Sequence, residues 1–393
     1  MHVRRFRERH GAGSTPRFFF APGRVNLMGA HLDYNGGPVM PTAIDRGTFL
    51  AIRERPDRTL RLASTLDPAT LEIELDALPR VRTGRWVDYP LGVVHAVLEL
   101  PEGRRVLDRL RGLDVLFGGN LPVGAGLSSS ASICVGTAFA LNATWALGLE
   151  RMALVRAALV AEREFVGVRC GIMDPYAVGL AREGHLLWLD CKDASSEYLP
   201  LDTARLSIAV ADTHVRRELA QVAFNERVAQ CRAAFETLRR HQPGASCLRD
   251  IRKDVFEDHR RDLDATSARR AEHVLAEVER TFAARDALKR GDSAAFGAQM
   301  LRTHRSLRYL FEVSVPELDR LVDSAAGCPG VLGARLTGAG FGGCAVILVE
   351  TAAAPDVAER LAIEFEREFR IRPSIGIYEG DAGPREITGP LED

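Results

Sequence analysis

NLPVGAGLSSSAS, residues 120–132, sets Gly124 and Gly126 just ahead of three hydroxyls, Ser128, Ser129 and Ser130. The glycines let main chain come close to a guest. The uncharged sequence after them predicts a helix over 128–147 with the hydroxyls on its first turn. Free N–H groups and the positive end of the helix dipole favour a phosphate there, and no acidic side chain stands in the stretch. A serine cap on a buried helix is the structural reading of the same residues.

Working outward, no Asp, Glu, Lys, Arg or His occurs from residue 115 to 149. That length raises a membrane helix. Pro122, four glycines and the serine triplet interrupt it, so a neutral loop followed by a buried helix fits better. Strands are expected at 17–21, 39–52, 60–75, 113–117, 185–189, 206–211 and 374–378, and helices at 88–100 and 151–166. GVRCGIMDPYAVG (167–179) reads as a Gly/Cys turn. From 216 to about 309 an Arg- and Glu-rich region, broken near Pro243-Gly244, predicts helices with one buried face. GARLTGAGFGGCAVILVE (333–350) reads as strand, glycine loop, strand, and 381–393 as a loose tail.

A chain of 393 residues should form two or three units at about 150 residues each. We set the boundary at 200, giving units 1–200 and 201–393, because helical composition takes over soon afterwards. The 52 Lys+Arg against 53 Asp+Glu leave a net charge of -1, without the basic excess of a general nucleic-acid or anionic-membrane binder. Seven scattered cysteines without CxxC spacing give neither a zinc ribbon nor a disulfide framework. Reduced thiols in a cytoplasmic protein are expected. The basic start is followed only by Phe18-Phe19-Phe20, too short an apolar run for a secretory signal.

Three further patterns carry chemistry. No G-x-x-x-x-G-K-[ST] occurs, and the G-x-G-x-x-G at 338–343 leads into a strand instead of opening a βαβ unit. Glu162 and Asp174 are twelve residues apart, one on an expected helix and one in the turn after it. Near a phosphate loop such acids can hold Mg²⁺ and act as a base; taken alone they read as solvated surface acids. Arg24, Asn26, His31 and Asp33 crowd a glycine-rich turn, and turn capping explains only part of that cluster.

Taken in order, GRVNLMGAHLDYNGG, LPVGAGLSSSAS and RLTGAGFGGC resemble the three signature motifs of the GHMP small-molecule kinases, with the galactokinase branch the best match. CGIMDPYA, AEREFVGV, VADTHVRRELA and HRSLRYLFEVSVPELD support it, and the likeness runs from about residue 18 to 350. The resemblance implies an α+β, two-domain GHMP kinase fold with the active site between domains. It implies an ATP- and Mg²⁺-dependent kinase acting on the anomeric C1 hydroxyl of galactose or a galactose-like sugar. Asp174 would take the proton of that hydroxyl, and Arg24 would stabilise the attacking oxygen. Gly124, Ala125, Gly126, Leu127, Ser128, Ser129, Ser130 and Ala131 would cradle the ATP phosphates. Ser130 (or Ser129) with Glu162 would hold Mg²⁺. Ala30, His31, Asp33, Gly171 and Phe224 match the sugar-contacting positions, and the 337–343 loop would wall the site opposite the nucleotide. Small-molecule sugar and ATP are the implied partners, in a monomer or weak homodimer.

Two departures bear on the sugar. Galactokinases carry Gly-Glu-His where this chain has Ala30, and Tyr where it has Phe224, so the C6 side of the pocket has lost polar groups. Plant galacturonate 1-kinases carry the same Gly-Ala-His. A galacturonate or other C6-modified substrate is therefore ranked first, with galactose close behind, and Arg169 or Arg217 is a candidate countercharge. A non-catalytic sugar- and ATP-sensing relative is the rival reading. Such relatives lose the Ala-Ser that this chain keeps as Ala131-Ser132.

Overall fold

The computed structural model describes residues 3–122, 126–168, 170–215 and 220–388. Its strands are β1 (Arg17–Asn26), β2 (Pro38–Val39), β3 (Pro41–Glu54), β4 (Thr59–Ser64), β5 (Thr70–Glu74), β6 (Leu113–Gly119), β7 (His185–Asp190), β8 (Ser196–Pro200), β9 (Leu206–Asp212), β10 (Val331–Thr337), β11 (Cys344–Glu350), β12 (Ser374–Tyr378) and β13 (Arg385–Ile387). Its helices are α1 (Val3–His10), α2 (Asp88–Glu99), α3 (Pro101–Val106), α4 (Ser129–Thr144), α5 (Arg151–Val160), α6 (Met173–Gly179), α7 (Ala220–Leu238), α8 (Lys253–His259), α9 (Ala265–Lys289), α10 (Ser293–Ser306), α11 (Pro316–Ala326) and α12 (Ala354–Phe369).

Successive side chains of a strand face opposite ways, and the phenylalanines of β1 use both faces. Phe19 packs into the core under α2, α4 and α5, while Phe18 meets Phe6 of α1 on the other side. β1 lies inside a six-stranded sheet of order β13-β1-β3-β6-β4-β5, antiparallel except for the β4–β6 pair. The uncharged helix α4 is buried on this sheet. A Cβ on its Gly136 would lie 2.9 Å from Leu50 and 3.0 Å from Ala21. Burial against protein, and not lipid, explains the missing charges. Among the described residues no helix is long and apolar enough to cross a membrane. A four-stranded sheet, β10-β11-β9-β12, carries α7, α9, α11 and α12 over one large core. The three-stranded β2-β7-β8 sheet shares a further core with β9, β11, α9 and α10. None of the seven cysteines forms a disulfide among the described residues.

Several elements differ from the sequence reading. β1 continues through Asn26, past a bulge between Pro22 and Gly23, so Arg24 lies on a strand. Residues 60–75 form the hairpin β4–β5 and not one strand. Asp67 closes the turn by accepting the Ala69 N–H at 2.9 Å. The Gly/Cys turn contains a helix, α6, because Pro175 sits in its first turn, where an N–H has no intrahelical partner to lose. The helix expected over 151–166 changes to π winding at 161–166. The tail is not loose as far as residue 388, and residues 389–393 lie outside the described residues. β13 pairs with β1, and Arg17 grips the Glu386 carboxylate with two bonds of 2.8 and 2.7 Å. The break near Pro243-Gly244 falls between α7 and α8.

Candidate active site

Arg24 follows the β1 bulge, and its guanidinium meets Asp174 on the first turn of α6. Arg24 Nε donates to Asp174 Oδ1 at 2.7 Å and Nη2 to Oδ2 at 2.6 Å, a two-point contact that fixes both groups. Arg24 Nη1 also donates to the Gly126 carbonyl at 2.7 Å, and its backbone N–H to Leu127 O at 3.1 Å. The acid, the arginine and the 120–132 loop are thereby joined.

Ser128 does not cap α4. It takes a left-handed conformation with φ 60°, and its hydroxyl donates to Asp174 Oδ2 instead. Among the described residues no side chain caps the helix, so its first N–H groups are available to an anion. Ser129 is exposed at this helix start, and Ala131 is buried beneath it. Ser132 turns into the core, donating to Ala21 O at 2.7 Å and Thr48 Oγ1 at 2.9 Å. Gly126 approaches the third glycine loop, where a Cβ on it would lie 3.8 Å from the Gly338 Cα. Gly124 and Ala125 lie outside the described residues, as do Arg169 and Arg217.

Glu162 sits in the π turn, buried, with the Ser130 hydroxyl in hydrogen-bonding reach. Burial pushes its carboxyl up to about 7, and Oε2 has no hydrogen-bond partner among the described residues. A buried acid with an idle oxygen beside a hydroxyl is a donor set for a hard cation such as Mg²⁺.

On the other side of Arg24 and Asp174 is a cavity of about 230 Å³. Ala30, His31, Asp33, Gly171 and Phe224 all line it, together with Arg24 and Asp174. Asp33 is raised to about 6, first by burial and then by the charge of Asp174. Gly171 admits it: a Cβ there would be 2.0 Å from Asp33 Oδ2. His31, with φ 59°, places Nδ1 2.9 Å from the Tyr34 hydroxyl. Burial lowers the imidazole to about 3, so it is neutral. Its Nε2 and the Asn26 Oδ1 are buried without hydrogen-bond partners among the described residues. At the far corner Phe224 stands 6.0 Å from the His31 ring and 5.6 Å from Tyr34, so that corner is aromatic.

Sequence reasoning left Tyr34 and Arg335 out of this lining, whereas the 337–343 loop it named as a wall of the site enters through Gly338 and Ala339. Arg335 is a buried cation bonded to backbone carbonyls of Asn26, Leu27 and Leu336. Burial lowers it to about 10. A lone arginine within an apolar strand was the available signal.

One end of this arrangement suits a phosphate donor and the other a small polyol, which defines the class as a small-molecule kinase. The galactokinase galactose-binding signature matches residues 4–54, the GHMP kinase N-terminal domain residues 88–182 and the GHMP kinase C-terminal domain residues 284–367. The galactokinase of Exiguobacterium sibiricum is 39% identical over 97% of this chain and 96% of its own length. That of Bacillus subtilis is 36% identical over 95% of each. The crystal structure of Lactococcus lactis galactokinase complexed with galactose superposes with a TM-score of 0.91 at 30% identity, covering 98% of both chains. Methanococcus jannaschii mevalonate kinase, at 20% identity and a TM-score of 0.68 over 94% of this chain and 99% of its own, shares the fold. The chain belongs to the galactokinase family of the GHMP kinases.

Proposed function

We propose that this chain is an ATP-dependent galactokinase, transferring the γ-phosphoryl group to the C1 hydroxyl of galactose. The observation that carries the reading is the two-point Arg24–Asp174 contact, set between the uncapped start of α4 and the cavity around Asp33. Asp174 accepts the proton of the C1 hydroxyl as the new O–P bond forms and ADP leaves. Arg24 orients that carboxylate and lies beside the attacking oxygen. The N–H groups and hydroxyls at the start of α4 hold the phosphates. Ser130 and Glu162 would hold Mg²⁺, which supplies charge neutralisation at the phosphate oxygens when bound. Asp33 accepts from two adjacent ring hydroxyls, as one carboxylate can. The same reading divides the chain near residue 200, with the tail returning to the first unit, and has it work in the cytoplasm as a monomer or weak homodimer.

The galactokinase relatives move galactose ahead of galacturonate, reversing the order that Ala30 suggested. A second reading remains tied to one observation. Ala30 and Phe224 bring neither the carboxylate nor the phenol of the galactokinase pattern to the far corner of the cavity, where the Tyr34 hydroxyl already faces His31, and a site with fewer polar partners discriminates more weakly against altered groups. Sugars with the galactose C3/C4 arrangement and a different C6 are then secondary substrates. The test follows ADP release with galactose, galacturonate, fucose and arabinose, in wild type and Ala30→Glu. Galactose should lead the wild-type panel, and Ala30→Glu should sharpen the preference for it. No ADP release with any sugar, alongside intact ATP and sugar binding, would favour a sensor.

A further inference from the structure

The turn that carries Ala30 and His31 is held from behind by a helix nearly 250 residues later. Glu277 of α9 is fully buried. Its Oε1 accepts the backbone N–H of Gly29 and of Ala30, each at 3.1 Å. Thr303 of α10 donates its hydroxyl to the same carboxylate, 2.8 Å from Oε2, and Arg280 donates Nε to Oε2 at 2.8 Å. Arg280 also supplies the countercharge that a buried carboxylate needs. One turn earlier on α9, His273 Nε2 is 3.3 Å from the Ala30 carbonyl, and its Nδ1 is 2.8 Å from Ser306 Oγ. Burial keeps this imidazole neutral, with a value near 3. A neutral ring facing a carbonyl through Nε2 carries its proton there and accepts the Ser306 hydroxyl at Nδ1. Both polar groups of the Ala30 main chain are therefore bonded to α9.

The turn needs such a hold. Gly29 and His31 flank Ala30 with φ of 83° and 59°, and a non-glycine residue in that region persists only where its surroundings fix it. The alanine side chain at position 30 can make no hydrogen bond of its own.

We propose that Glu277, seconded by His273, is a positioning residue for sugar binding: it fixes the Gly29–Ala30 main chain and so sets His31 and Asp33 in the cavity. The proposal rests on the reading above that this cavity takes the sugar. It predicts an effect on the sugar side alone, because among the described residues the hydrogen bonds of Glu277 go to Gly29, Ala30, Arg280, Thr281 and Thr303.

The experiment measures KM for galactose and for ATP, and the melting-temperature rise given by each ligand, for wild type, Glu277→Gln and Thr303→Val. We expect galactose KM to rise about 10-fold or more in Glu277→Gln, the loss of roughly one buried hydrogen bond. Thr303→Val should give a smaller rise of about threefold, because it leaves the carboxylate and Arg280 in place. ATP KM should stay within about twofold, and the galactose-induced melting shift should shrink while the nucleotide-induced shift persists. Thr303→Val carries the test if Glu277→Gln does not fold. A galactose KM unchanged in the folded variants, or galactose and ATP KM rising together, would overturn the proposal. A wild type that does not phosphorylate galactose refutes the functional reading instead. The same comparison is then made with whichever sugar of the panel it does phosphorylate.

Discussion

Replacing Asp174 by Asn tests the site at its centre. The carboxylate receives three donors: Arg24 Nε at 2.7 Å on Oδ1, and Arg24 Nη2 at 2.6 Å with the Ser128 hydroxyl on Oδ2. Asparagine can keep the first bond with its oxygen. Its amide group then faces two donors where Oδ2 had accepted them. Arg24 retains the Gly126 carbonyl at 2.7 Å, so the strand and the phosphate loop stay joined. The cost to folding should be about 1–3 kcal/mol, that of a partly buried donor left unmatched. The cost to catalysis should be much larger. Loss of a general base lowers kcat about 10²–10⁴-fold, which is about 2.7–5.4 kcal/mol of barrier. A third effect is specific to this geometry. Asp174 is one reason that Asp33 is raised to about 6, so neutralising it should lower the Asp33 titration, read by carboxyl-carbon NMR. kcat comes from ADP release under saturating galactose and ATP, and nucleotide affinity from calorimetry. A variant within about threefold of wild-type kcat would refute the base assignment and leave positioning as the source of rate.

Ser130→Ala and Glu162→Gln should each raise the Mg²⁺ requirement and the ATP KM; a change in sugar KM alone, with nucleotide binding by calorimetry unchanged, would remove this loop from the phosphate site. Because burial holds Glu162 near 7, above its ordinary 4.5, the stability it contributes is full below about 4.5 and is lost as pH rises through 7. Metal-free wild type should accordingly lose melting temperature relative to Glu162→Gln between pH 5 and 8. Asp33, raised to about 6, accepts from two hydroxyls only when ionised, so galactose KM should fall as pH rises through 6; a KM flat from pH 5 to 7.5 would separate Asp33 from the sugar. Asp114 gathers Arg53 at 2.7 Å and Arg55 at 2.8 Å on a nearly inaccessible carboxylate. Asp114→Ala should cost about 3–5 kcal/mol in denaturant unfolding by leaving the Arg53 cation without a carboxylate while Arg55 keeps Asp57, and a loss under about 1 kcal/mol would mean that Arg53 finds another partner.

What could be read from sequence was what is local. The glycine–serine run at 120–132, the acid in CGIMD and the arginine in PGR each carry their chemistry within a few residues, and these residues meet in one site. The serines also show the limit. Three hydroxyls at a helix start look alike in sequence, yet Ser128 turns to Asp174, Ser130 to Glu162 and its neighbour Ser132 to Ala21 and Thr48. Which way each turns depends on strands distant in the chain. Alternation misled at 60–75, because apolar residues recur at every second position on either side of the Asp67-Pro68 turn, with only a change of phase and the exposed Leu66 and Ala69 to mark it. Glycine and proline hid α6, although proline in a first turn is no obstacle to a helix. Glu277 was invisible for another reason. It lies on an amphipathic, charge-rich helix where acids are usually solvated, and the backbone groups it holds are 247 and 248 residues away.

The pairing of β13 with β1 also orders the birth of the protein. Arg17 and Glu386 are 369 residues apart. At ribosomal speeds of about 5–20 residues per second, roughly 20–70 s separate their synthesis. Throughout that interval the Phe18–Phe20 edge of β1 stands without its final neighbour, a bare strand edge of the kind that recruits other chains. A message cut short just before β13 would still encode both motifs of the catalytic pair and all three glycine loops. Its product would carry an active-site strand with an open flank, free to pair with another chain.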